Sequence, residues 1–226
     1  MPIPPENVLD APSVLCLGDS LTWGQNPRDG SRFPYHVRWP GVLQRELNRT
    51  LTGGARVIEE GLCGRTVATE SWLFPMRSAR SVAQMLLETH APLSVVIVLL
   101  GVNDTIATYR RSVPDVALSC YSLLMEMQRS GCGVEGSAPK FLLVAPPPVE
   151  KPLGAMELFF RGAAETSRGL ASAYATIAAT CGASFFDSST IVKASELDGV
   201  HIDEAAHELL GVHIATQVRG IIMRKQ

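Results

Sequence analysis

The sequence predicts an α/β fold: a three-layer α/β/α sandwich built on a five-stranded parallel sheet. Two observations predict it. Five short apolar runs alternate with five segments of helical spacing, which implies right-handed βαβ units with helices on both faces. The third run is apolar without interruption from Val95 to Leu100, as a strand covered on both faces must be.

The elements follow in chain order. "SVLCLG" (13–18) is the first buried strand. "GVLQRELNRTL" (41–51) has apolar residues at 42, 43, 47 and 51, which is helical spacing. "ARVIEEG" (55–61) is the second strand and "SARSVAQMLLETH" (78–90) the second helix. "LSVVIVLLG" (93–101) is the third strand. "VPDVALSCYSLLMEMQRSG" (113–131) is a helix, with Pro114 suited to its first turn and Gly131 to its end. "KFLLVAPPP" (140–148) is a fourth strand stopped by three prolines. "MELFFRGAAETSRGLASAYATIAATCG" (156–182) is a long helix, "ASFFDSS" (183–189) a short fifth strand, and "DEAAHELLGVHIATQVRGIIMRK" (203–225) a closing helix. There is no internal repeat and no linker, so residues 1–226 are expected to form one domain. The pattern does not give the strand order.

Composition narrows the functions. With 46% hydrophobic and 19% charged residues the chain is an ordinary globular one, with ample core. A net charge of −2 offers no basic excess to hold nucleic acid, and Arg110–Arg111 is a solvated pair. The opening stretch, "MPIPPENVLDAPS", lacks the basic and apolar parts of a secretory leader. No run approaches the roughly 18 apolar residues of a membrane span. Five scattered cysteines without a CxxC argue for free thiols in a reducing, cytoplasmic setting. No His/Cys cluster has metal-ligand spacing, so neither a metal nor a cofactor is expected.

A doubly wound sheet binds its ligand beyond the carboxyl ends of its strands. Polar arrangements stand there. Gly18, Asp19 and Ser20 follow strand one, and "EEGLCGRT" closes strand two. "GVND" (101–104) follows strand three, and "DGVHID" precedes the closing helix. Acyl transfer by a serine needs a base, a carboxylate that orients it, and donors for the oxyanion. Ser20 can be the nucleophile, His201 the base and Asp198 the orienting carboxylate. The donors can be the Ser20 amide, a glycine amide of the 61–64 turn, and the Asn103 side chain.

Each residue also has a plainer reading. Ser20 could be a helix N-cap, Asn103 a turn residue, and Gly64 a positive-φ glycine. Asp198 could cap the last helix, although Asp203 is better placed. Asp104 is expected to bond within its own loop. His207 and His213 are expected to be packing or surface residues, and His90 to suit a helix end. The loops 24–38, 66–77 and 146–154 could wall a pocket. Asp19, Trp23 and His36 are the candidate pocket residues, Trp23 as an aromatic wall that limits acyl size.

The four blocks, "GDSL" at 18–21, the 61–64 glycine turn, "GVND" at 101–104 and "DGVH" at 198–201, resemble those of the SGNH (GDSL-type) hydrolases, in the same order. "GDSLTWG", "VRWPGVL", "VIEEGL", "LGVNDT" and "DGVHI" are similar to the bacterial arylesterase/acyltransferase branch of that family. The resemblance implies a flavodoxin-like sandwich with strand order 2-1-3-4-5. It also implies hydrolysis of small aryl and alkyl esters, with acyl transfer to alcohols or peroxide. It makes Ser20, Asp198 and His201 the triad, and Ser20, Gly64 and Asn103 the oxyanion donors. Arg65 stands where other branches have Asp, and its role is open. Some members assemble as octamers, so the expected partners are a small-molecule ester and further copies of the chain. The rivals are a carbohydrate acetylesterase or a thioesterase/lysophospholipase of the same family and, more remotely, a non-catalytic flavodoxin-like binding module. A nucleotide-binding enzyme is disfavoured, because neither GxxxxGK nor GxGxxG follows a strand.

Overall fold

The computed structural model describes residues 11–72 and 74–224. Most of the opening stretch, expected to carry no leader, lies outside them. So do one residue of the 66–77 loop and the end of the closing helix. The elements are β1 (Ser13–Gly18), α1 (Ser20–Trp23), α2 (Trp39–Thr50), β2 (Arg56–Gly61), α3 (Ala79–His90), β3 (Val95–Leu99), α4 (Val113–Met127), β4 (Lys140–Ala145), α5 (Ala155–Phe160), α6 (Ala163–Cys181), β5 (Ser184–Asp187) and α7 (Glu204–Met223). The sheet is parallel throughout, in the order β2-β1-β3-β4-β5.

The pleat sorts each strand's side chains between two cores. Leu15, Leu17, Val96, Val98 and Leu143 face α3, α4 and α6. Val14, Cys16, Val95, Ile97, Leu99, Leu142 and Val144 face α2 and α7. Every residue of β3 is fully buried, which is why its sequence runs apolar without alternation. In α7 the buried residues Ala206, Leu210, Ile214, Val218 and Ile221 recur every three or four positions, the spacing that keeps one helix face on the sheet.

Helix ends follow local chemistry. Ser112 and Asp115 form a reciprocal capping box at the start of α4, with Pro114 in its first turn. Asp203 caps α7 by accepting from the Ala206 N–H at 2.9 Å. Two expectations need correction. Helix α4 ends at Met127 rather than Gly131, and Gly131 instead sits at φ 65° in the turn that follows. The long helix expected over 156–182 is two helices, because Arg161 turns extended and Gly162 takes φ 78°.

The strand order reverses at β1, with β2 on one side and β3 on the other. Gly18 is level with Gly61 of β2 and Leu99 of β3. Three loops therefore start side by side at the point where such sheets bind ligands.

Candidate active site

Strand β1 ends at Gly18, where a Cβ would run into the Thr22 side chain and lie 3.0 Å from the Leu99 carbonyl. This lets the chain turn sharply into α1. The cap of α1 is Asp19, whose Oδ1 accepts from the Leu21 N–H at 2.9 Å. The capping role open to Ser20 thus falls to its neighbour. Ser20 takes the first helical position, with its hydroxyl clear of the backbone.

The Ser20 Oγ lies 2.9 Å from His201 Nε2, and His201 Nδ1 lies 2.6 Å from Asp198 Oδ2. All three residues are buried. A carboxylate only accepts, so Nδ1 carries the proton, and Nε2 is left to accept from the Ser20 hydroxyl. Asp198 Oδ1 accepts from the N–H groups of Val200 and His201, each at 2.9 Å. Burial would raise the Asp198 pKa. The hydrogen bond from His201, with the two backbone donors, outweighs it and holds the carboxyl below its ordinary value.

The 146–154 segment does not wall the cleft. It braces this loop from behind: the N–H of Glu150 donates to Gly199 O at 3.0 Å and that of Leu153 to Asp198 O at 3.1 Å.

After β2 the chain makes a tight turn. The Leu62 N–H donates to Gly18 O at 3.1 Å and the Arg65 N–H to Leu62 O at 3.0 Å. Gly64 sits at φ 77°, in the region that favours glycine. Among the described residues, no acceptor takes the N–H of Ser20 or of Gly64. Arg65, whose role was open, ties β1 to β2: its guanidinium donates to Gly18 O at 3.0 Å and to Glu60 O.

After β3 a single 3₁₀ turn spans Asn103–Thr105. Asn103 Nδ2 donates to Arg65 O at 3.0 Å and to Asp19 Oδ2 at 3.3 Å. Asp104 reaches beyond the own-loop bonds expected of it. Its carboxylate accepts from the Val67 N–H at 2.9 Å and the Thr69 hydroxyl at 3.1 Å on the neighbouring loop. Burial pushes Asp19 up to about 7 and Asp104 up to about 6.

Above these groups is a cleft of about 250 Å³, with Ser20, Gly64, Asn103 and His201 on its surface. Its walls are Phe74, Ile106, Met156, Phe159 and Phe160, joined by Gln25, Cys63 and Arg77. Phe74 and Phe159 approach to 6.2 Å between ring centroids. Three of these wall residues come from α5, the helix that the sequence pattern merged into its successor.

The expected pocket residues sit elsewhere. Asp19 is fully buried, beneath the serine. Trp23 is absent from the cleft lining. Its carbonyl accepts from Arg32 Nε at 2.8 Å, and the Arg32 guanidinium covers its ring at 5.1 Å. His36 is exposed, on a loop that Arg38 pulls toward Phe33 O and Glu59. Among the described residues, no group of three or more His, Cys, Asp or Glu is placed to hold a metal ion. None of their helices is long and apolar enough to cross a membrane.

The profile of the GDSL-like lipase/acylhydrolase family matches residues 16–209. The chain belongs to this family. Members of known structure fit it along most of its length. The native aryl esterase of M. smegmatis is 38% identical, with a TM-score of 0.87 over 93% of this chain and 100% of that one. Est24, a carbohydrate acetylesterase from Sinorhizobium meliloti, is 33% identical, with a TM-score of 0.87 over 93% and 99%. A carbohydrate acetylesterase family member from the same organism is 32% identical, with a TM-score of 0.85 over 93% and 99%. No curated protein sequence matches the chain. The family is one of esterases, so the chain is a hydrolase of the SGNH type. The shared fold does not by itself decide which ester is taken.

Proposed function

We propose that the protein is a single-domain serine esterase that hydrolyses small aryl or short-chain alkyl esters through an acyl-enzyme on Ser20. The carrying observation is the continuous line from Asp198 Oδ2 through His201 to Ser20 Oγ, at 2.6 and 2.9 Å, beneath an apolar cleft. His201 Nε2 takes the hydroxyl proton as Oγ attacks the ester carbonyl carbon, and Asp198 stabilises the imidazolium that forms. The carbonyl oxygen becomes an oxyanion. The unused N–H groups of Ser20 and Gly64 accommodate it, together with the Asn103 amide. The Asn103 bond to Arg65 O holds that amide, and its longer contact with Asp19 is the one the oxyanion would share. Collapse breaks the bond to the alcohol oxygen, which leaves with the proton from His201. Water then attacks the acyl-enzyme by the same route and releases the acid.

A volume of about 250 Å³ supports small substrates, because it lies below the common range for drug-sized ligands. The aromatic and aliphatic walls support aryl and alkyl groups over sugars, which need more polar partners. They also support acyl transfer, since an alcohol displaces water from such walls more readily than from polar ones. Carbohydrate acetylesterase is the second reading. It has behind it the likeness to the S. meliloti enzymes and the polar Gln25 on the cleft wall.

The test is Ser20→Ala with p-nitrophenyl acetate. Loss of at least about 10⁴-fold in kcat is expected, with the far-UV circular dichroism unchanged. Retained turnover would refute the assignment. Ethyl acetate with an added alcohol should yield the exchanged ester as well as acetic acid.

A further inference from the structure

The proposed reaction leaves one charge in the cleft unused. Arg77 lines the cleft beside uncharged and apolar residues and His201. Its Nε donates to Cys63 O at 2.9 Å and its Nη1 to Pro75 O at 3.3 Å, both neutral carbonyls. Among the described residues no carboxylate lies within ion-pair distance of it. Its Nη2 makes no hydrogen bond within the same set. A guanidinium has five donors in a planar fork, so most of its capacity is open.

The placement is specific. A Cβ built on Gly64 would lie 3.9 Å from Arg77 Nε, so the side chain stands against the turn that carries the proposed oxyanion donor. Its bond to Cys63 O anchors it there, in a cleft lined mostly by apolar side chains. A partly buried cation with free donors, apolar surroundings and no counter-ion suits a carboxylate on the ligand. Arginine binds that group in bidentate fashion and more strongly than it binds a neutral acceptor.

We infer that Arg77 makes the cleft selective for esters that carry a carboxylate. This rests on the esterase function proposed above and narrows its substrate class.

The test compares matched ester pairs. Phenyl acetate against 4-acetoxybenzoate places the carboxylate on the alcohol half, and phenyl butyrate against monophenyl succinate places it on the acyl half. The readout is the charged-to-neutral ratio of kcat/KM within each pair. Dividing by the neutral ester cancels any loss that arises because the 63–64 turn has moved. Arg77→Gln should lower the ratio of at least one pair by about 10- to 100-fold, the usual span for a hydrogen bond to a charged group. Arg77→Lys should retain part of it. In the wild type that ratio should also fall with added salt. Ratios that stay within about twofold in both pairs would overturn the inference. Wild-type protein that hydrolyses none of the four esters would instead overturn the esterase reading.

Discussion

Asp19→Asn should stabilise the protein at pH 8 and leave it nearly unchanged at pH 4.5. The carboxylate beneath Ser20 has no solvent exposure. Burial pushes it from 3.8 to about 7; the Leu21 N–H and the charges of His201 and Arg65 pull it down, and Asp104 pushes it up. In the unfolded chain it titrates near 3.8. Between the two values the folded protein binds a proton that the unfolded chain has lost, so stability falls as pH rises through that window. About three units at roughly 1.4 kcal/mol each make the cost of ionising Asp19 about 4 kcal/mol at pH 8 and about 1 kcal/mol at pH 4.5. Asparagine keeps an Oδ1 for the Leu21 N–H but loses the acceptor for Asn103, a cost of about 1 kcal/mol. The variant should therefore break even at pH 4.5 and gain roughly 3 kcal/mol at pH 8. Urea unfolding at both pH values measures this, with unchanged slopes assuring a like comparison. An equal difference at both pH values, or a variant weaker at pH 8, would refute the reasoning.

Asn103→Ala should lower kcat on p-nitrophenyl acetate by about 10²–10³-fold, the usual loss for one oxyanion donor; a change below about threefold would remove it from that role. His207 is buried, accepts from the Trp39 N–H at 3.2 Å, and is driven by burial down to about 3. The unfolded chain binds its proton near 6.5 and the folded chain only near 3, so stability is lost as pH falls through that interval. His207→Phe should remove roughly 2–3 kcal/mol of the loss between pH 7 and 4.5, read from urea midpoints.

The sheet and the polar groups at its strand ends were legible for a physical reason. A doubly covered strand such as β3 must be apolar at every position, and acyl transfer admits few residue types. The cleft walls were legible only in part: the loops 24–38 and 66–77 supply Gln25, Phe74 and Arg77 as expected, but Met156, Phe159 and Phe160 come from a helix remote from Ser20 in sequence. Trp23 is three residues from the serine, yet its ring lies under Arg32. Phe159 is far along the chain, yet it lines the cleft. The break that positions it was hidden, because helical spacing continues across Arg161 and Gly162 and an isolated glycine is tolerated inside a helix. The split follows from packing. Phe160 and Ala163 join Val102, Ile106, Val149 and Val200 in a separate small core under the cleft. A straight helix would carry Phe160 away from it.

The same buried polar groups explain why a costly carboxylate stands at position 19. Three loops must hold their donors to within a fraction of an ångström, and no apolar contact fixes the direction of an N–H group. Arg65 joins β1 to β2, Asp104 joins the β3 loop to residues 67–69, and Asn103 is held between Arg65 O and Asp19. Asp19 is the only one of these groups that both caps the helix bearing Ser20 and touches Asn103. Its negative charge also favours the imidazolium of His201 that forms as Ser20 attacks. The stability gained by Asp19→Asn should therefore come with a lower kcat. A variant that gained both would mean that Asn103 is positioned by Arg65 O alone, and that the charge beneath the serine serves only the fold.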